Sequence, residues 1–172
     1  MKKFSHLDSR GRAKMVDVGQ KPLSSRRAVA SAFVTLSPET LELLGSGELK
    51  KGDALAVSRL AGIQGAKLTS QLIPLCHPLP LDQVVIDLEL EAGGVRIHAE
   101  ARTRAATGVE MEALTGAAVA ALALIDMVKS GDREAMMSHL RLELKEGGKR
   151  GRWQREGYRD RDPETEPPGT PS

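Results

Sequence analysis

Cysteine occurs once in this chain, at Cys76, and that scarcity excludes two classes of protein at the outset. No intrachain disulfide framework can form, and a zinc ribbon lacks its paired thiols. Aromatic residues are almost missing: Phe4, Phe33, Trp153 and Tyr158 are the whole set. The core must therefore be aliphatic and rich in alanine, with helices that closely approach one another or a partner subunit. Charge of one sign is missing too, since 25 basic residues face 23 acidic ones for a net +2, which is no polycation built to coat nucleic acid. The opening "MKKFSHLDSRGR" has no apolar signal core, so the cytoplasm is the expected compartment. The longest apolar run, Ala113 to Ile125, falls short of the about 20 residues that cross a bilayer, and no internal repeat is present.

What is there reads as one domain over residues 1–156, with a charged, proline-rich tail over 157–172 that has almost nothing to bury. Ala28 to Leu36, "AVASAFVTL", is β-prone. Ser37 and Pro38 open a short helix, and Asp53 can cap a longer one running to about Ile73, where Pro74 stops it. On that helix Ala56, Leu60, Ile63 and Ile73 form one stripe at helical spacing, and Lys67 falls on it where a core residue is expected. Two alternating runs flank Gly93 and Gly94, the signature of a hairpin. A second long helix extends from about Val109 to Ser130, and "HLRLELKE" is a last strand. Strand, helix, strand, strand, helix, strand is the split βαβ order, so the expected fold is α+β and ferredoxin-like: an antiparallel sheet with helices packed on one face.

Two features carry candidate chemistry. "LIPLCHPLPL" sets Cys76 and His77 among three prolines, and the residue before a proline is pushed out of the helical region. A helix stop leading into a strand explains that much; a His77 held in one extended pose against a ligand explains it equally. On the second long helix, Glu112, Thr115, Asp126 and Lys129 share one side, with Val119, Leu122 and Ala123 between them. Glu112 and Asp126 are about 21 Å apart along a helix axis, too far for one small-molecule site in one subunit. Antiparallel helices around a twofold axis would bring the start of one near the end of the other. Helix-dipole complementarity and an i, i+3 pair account for Glu112 and Lys129 without any function. They account less well for a carboxylate within "LALIDMV", which is costly to desolvate.

Taken together, "KMVDVGQK", "KGDALAVSRLAGIQGAK", "LIPLCHPLPL", "GVEMEALTGAAVAAL", "DMVK" and "EGGKRG" resemble, in order and spacing, the cyclic pyranopterin monophosphate synthase family, the C protein of molybdenum cofactor biosynthesis. The resemblance covers residues 4–152. It implies a lyase that takes (8S)-3′,8-cyclo-7,8-dihydroguanosine 5′-triphosphate to cyclic pyranopterin monophosphate and diphosphate. It implies a homohexamer, a trimer of dimers with sites at the dimer interface. No cofactor is required, with room for Mg²⁺ on the triphosphate. Carried over residue by residue, Asp126, Lys51 and Lys129 are the catalytic set, with either lysine as the base. Leu75, Cys76 and His77 form one substrate-binding element, and Met111 with Glu112 a second. Arg26 and Lys67 are phosphate or site-framing cations, and Glu110 and Lys149 complete the binding set. A metal site is not expected, for want of closely spaced ligands. Nor is nucleic acid, since "VVIDLELEA" and "VRIHAEA" offer no aromatic ring for a base to stack on. The alternative is a catalytically idle relative that binds nucleotides or pterins as a partner protein.

Overall fold

A computed structural model describes residues 10–149 and 151–160. Strand β1 (Ser24–Thr35) is followed by helices α1 (Pro38–Ser46), α2 (Ala54–Lys67) and the single turn α3 (Thr69–Leu72). The hairpin β2 (Gln83–Glu91) and β3 (Gly94–Ala105) comes next, then α4 (Glu110–Val128), β4 (Met136–Glu146) and the short β5 (Trp153–Gln154). The antiparallel sheet has the order β2-β3-β1-β4-β5. Its first four strands are the ferredoxin-like arrangement expected from the sequence, and β5 is an addition that the alternation pattern did not announce.

Local chemistry explains the helix ends. The Ser37 hydroxyl accepts from Thr40 N–H and Pro38 occupies the first turn of α1, while Asp53 accepts from Ala56 N–H at the start of α2. The long helix expected to reach Ile73 instead breaks at Leu68, giving α2 and α3. The hairpin turns through Ala92 and Gly93, where Gly93 takes φ +83°, and Gly94 already belongs to β3.

Helices α2 and α4 pack on the sheet and on each other. The core is as small-sided as the composition requires: Ala28, Ala30, Ala32, Ala99, Ala101, Ala113, Ala117, Ala120 and Ala121 are all buried with Ile86, Ile97 and Leu124. The helix-to-helix approach is close enough that a Cβ at Gly65 would stand 2.6 Å from Val119 Cβ. This contact corrects the expected stripe on α2. The buried face consists of Ala54, Ser58, Gly62, Gly65 and Ala66, whereas Leu60 is 68% exposed and Lys67 points to solvent. Gly62 and Gly65 cost helix propensity but let the α4 backbone come close, and with Ser58 they make the buried face.

Helix α4 is long and apolar enough to satisfy the length and composition of a membrane span, although half of that window is buried within the protein as the central core helix. Beyond the boundary expected at Gly157, Asp160 is bonded to Arg27 on the sheet; residues 161–172, the rest of the expected tail, lie outside the described residues.

Candidate functional site: two half-sites at the ends of one helix

At the C-terminal end of α4, Lys129 Nζ donates to Asp126 Oδ1 at 2.5 Å, and Lys51 Nζ donates to the Asp126 carbonyl at 2.8 Å. Lys51 comes from the loop between α1 and α2, 75 positions away in sequence. The three residues expected to be catalytic therefore meet. Lys129 beside it holds the Asp126 carboxyl below the usual carboxylate range, with a smaller contribution from Lys51. The expectation of a desolvated Asp126 is corrected: its side chain is 64% exposed within one chain, because the surface of α4 that carries it has no covering element there. Leu122, one turn back, is 57% exposed.

At the N-terminal end of the same helix the surroundings differ. Glu112 is only 4% exposed, and burial pushes its carboxyl upward, with Glu110 adding to the rise. The Cys76 thiol is likewise raised, first by burial and then by the Glu112 charge, so it stays protonated rather than becoming a thiolate nucleophile. The Glu112 charge is thus near enough to the "PLCHPL" loop to be felt at Cys76. Within the loop Cys76 N–H donates to the Ile73 carbonyl at 3.0 Å. His77 Nε2 lies 2.8 Å from the Val16 carbonyl, an acceptor only. Nε2 therefore carries the hydrogen in the neutral ring, and Nδ1 is its acceptor nitrogen. Leu75 is half-buried and Met111 is exposed on the adjoining turn.

Next to this half-site lies a cleft of ≈ 740 Å³ lined by Lys21, Arg26, Glu110, Lys145, Gly148 and Lys149 among others. Arg26 Nε donates to the Ala105 carbonyl at 3.4 Å, and its guanidinium comes so close to Gly148 that a Cβ there would stand 1.8 Å from Nη1. Glu110 pairs with Lys145 at 2.6 Å. Thus Arg26, Glu110 and Lys149 of the expected set come together at the cleft. Lys67 makes no ion pair among the described residues and joins neither cluster by direct bonding.

A family model described as the MoaC family matches residues 15–148. The chain is 51% identical over 158 residues to the cyclic pyranopterin monophosphate synthase of Dinoroseobacter shibae, covering 91% of this chain and all of that protein. It is equally similar, at 51% over 158 residues and 95% of the relative, to the enzyme of that name from Thermomicrobium roseum. It is 53% identical over 154 residues to Molybdenum cofactor biosynthesis protein 1 of Homo sapiens, of which it spans 24%. The chain belongs to the MoaC family. It is an enzyme of molybdenum cofactor biosynthesis.

In this MoaC chain, sequence reasoning overlooked Lys145, and the cause lies in how β4 pairs with β1. Strand β4 would alternate Leu140, Leu142 and Leu144 inward and Lys145 outward. The register instead shifts between Val29 and Ala30: Ala30 faces Leu142, whereas Val29 faces Leu144 and Ala28 faces Lys145. A bulge at Glu143 thus reverses the alternation and turns Lys145 to the helix side, onto Glu110. Only the "EGGK" run just beyond hinted at an irregular strand end. Lys21 closes the "KMVDVGQK" run of the resemblance but was given no role, since by residue type alone it reads as a solvated surface lysine. Among the described residues no group of three His, Cys, Asp or Glu side chains forms a metal cluster.

Proposed function

We propose that the chain converts (8S)-3′,8-cyclo-7,8-dihydroguanosine 5′-triphosphate into cyclic pyranopterin monophosphate and diphosphate, at composite sites made by two copies of itself. The observation that carries the reading is the separation of two chemically complementary half-sites by the length of α4. Lys51, Asp126 and Lys129 stand at one end; Cys76, His77, Glu112 and the cationic cleft stand at the other. The Asp126–Lys129 pair and Met111 are exposed in a single copy, as are Leu122 between the two ends and Val57 and Leu60 on neighbouring α2. A twofold axis across that exposed surface would join the halves and bury the leucines, the same patch serving both subunits. A trimer of such dimers is the assembly this reading carries with it.

Within a joined site the residue types have distinct work. Lys21, Arg26, Lys145 and Lys149 neutralise the triphosphate, and Arg26 brings bidentate geometry. Glu112, whose buried carboxyl keeps its proton to higher pH than a free one, serves as an acid, and His77 Nδ1 accepts a proton. Asp126 remains ionised and orients Lys129, while Lys51 or Lys129 is the base. Attack on the phosphate with loss of diphosphate needs positioning and neutralised charge above all. Lys67 frames the site from the end of α2.

The test is incubation with the enzymatically made cyclic triphosphate, followed by oxidation and detection of the fluorescent pterin. Pterin formed by the wild type and lost in Lys51→Ala supports the reading. Substrate bound without any pterin would favour an idle binding partner.

A further inference from the structure

On the sheet face opposite the helices, a second cavity of ≈ 620 Å³ is lined by four arginines, Arg26, Arg27, Arg102 and Arg152, and by Asp82, Glu146 and Asp160. Its occupant is part of the chain itself. Asp160 grips Arg27 with both oxygens, Oδ1 to Nη2 at 2.8 Å and Oδ2 to Nη1 at 2.9 Å, and takes a third bond from Arg152 Nη2 at 3.0 Å. Arg27 also holds Glu100 at 2.8 Å and Glu146 at 3.3 Å, and Glu100 pairs with Arg102. Glu100 and Glu146 belong to β3 and β4 and are fixed by the sheet. Asp160 does not belong to any strand; it sits at the end of a turn in which Tyr158 N–H donates to the Arg155 carbonyl.

We propose that this arginine seat is a second anion site, for a diphosphate-class oxyanion, and that Asp160 is a displaceable stand-in for it. Two guanidinium forks a few ångströms apart match two linked phosphoryl groups better than they match one carboxylate. The cavity also has more room than a single carboxylate fills. Taking Asp160 away leaves Arg27 with Glu100 and Glu146 and Arg152 with Glu146 and Gln154, frees the donors that Asp160 held, and makes the cavity one charge more positive. The tethered carboxylate competes at an effective concentration on the order of millimolar, so the seat opens fully to free ligand only when that competitor is weakened. Arg26 borders both cavities, but Arg27, Arg152 and Asp160, on which the inference rests, have no part in the proposed activity.

Inorganic diphosphate titrated by calorimetry into the full chain, into Asp160→Asn and into Asp160→Asn/Arg152→Gln is the test. Asp160→Asn should bind at one seat per chain about tenfold more tightly than the wild type, and the added Arg152→Gln should abolish that gain. In the wild type, saturating diphosphate should speed tryptic cleavage after Arg155 and Arg159 as the segment lifts. Any diphosphate held at the triphosphate cleft is common to all three proteins, and Lys145→Ala weakens it without touching the gain. Identical isotherms for wild type and Asp160→Asn, or a gain that survives Arg152→Gln, would overturn the assignment.

Discussion

Replacing Gly65 with alanine puts the architecture under direct load. In an open helix the change would stabilise, because glycine costs about 0.8–1.0 kcal/mol relative to alanine. Here the new methyl would stand 2.6 Å from Val119 Cβ and 2.7 Å from Val119 Cγ2. Val119 Cβ is fixed to the α4 backbone, so the helices themselves must separate by several tenths of an ångström. Overpacking of that kind costs about 1–3 kcal/mol, and it loosens Ala66 and Gly116 in the same contact. Set against the propensity gain, the net expectation is a loss of up to about 2 kcal/mol, or a Tm lower by up to roughly 8 °C. The matched control is Gly45→Ala in α1, where the nearest atom is Leu90 Cδ1 at an ordinary 3.8 Å; it should gain about 0.5–1 kcal/mol. Denaturant unfolding of both variants separates the two effects. Equal stabilisation by the two substitutions would refute the close α2–α4 approach on which the placement of both half-sites depends.

Other perturbations have defined signs. Asp132 Oδ2 accepts from Ser37 N–H at 2.7 Å at the start of α1, so Asp132→Ala should cost about 1.5–3 kcal/mol in denaturant unfolding. That hydrogen bond holds the Asp132 carboxyl below its usual range; its contribution is present above the ordinary carboxylate value near 3.9 and is lost as pH falls through the lower folded value, and Asp132→Asn should flatten the acid limb of the stability curve. Glu112 has the opposite sign: burial raises its folded value, so its contribution is fully present below about 4.3 and is lost as pH rises above that point, a slope that Glu112→Gln should remove. Lys51→Ala should lower turnover by about 10²–10⁴ with folding intact, read in the pterin assay and by circular dichroism. Lys145→Ala should raise KM more than it lowers kcat if that lysine holds the triphosphate.

Much of this molecule is readable from its residues, and the misses share a cause. The β-alternations, the Ser37 and Asp53 caps and the Gly93 turn are local signals, and each lies where local rules place it. The convergence of Lys51 with Asp126 and Lys129, and of Cys76 with Glu112, followed from the motif resemblance rather than from spacing. The buried stripe of α2 was misread because its contact is made by Gly62, Gly65 and Ser58, residues whose fit depends on the facing helix. Lys145 and β5 were missed because a bulge and an added edge strand are tertiary decisions: both depend on how β1 meets β4 and how β4 meets its last neighbour.

The account's central claim is that chemistry split between the ends of α4 is reunited by a second copy. Mixing Lys51→Ala subunits with Glu112→Gln subunits, after dissociation and reassembly, measures that reunion. Each is inactive alone, and each mixed dimer would contain one site with both residues intact, so random pairing should restore about a quarter of wild-type pterin formation. Reassembled mixed oligomers that stay as inactive as their parents would contradict it.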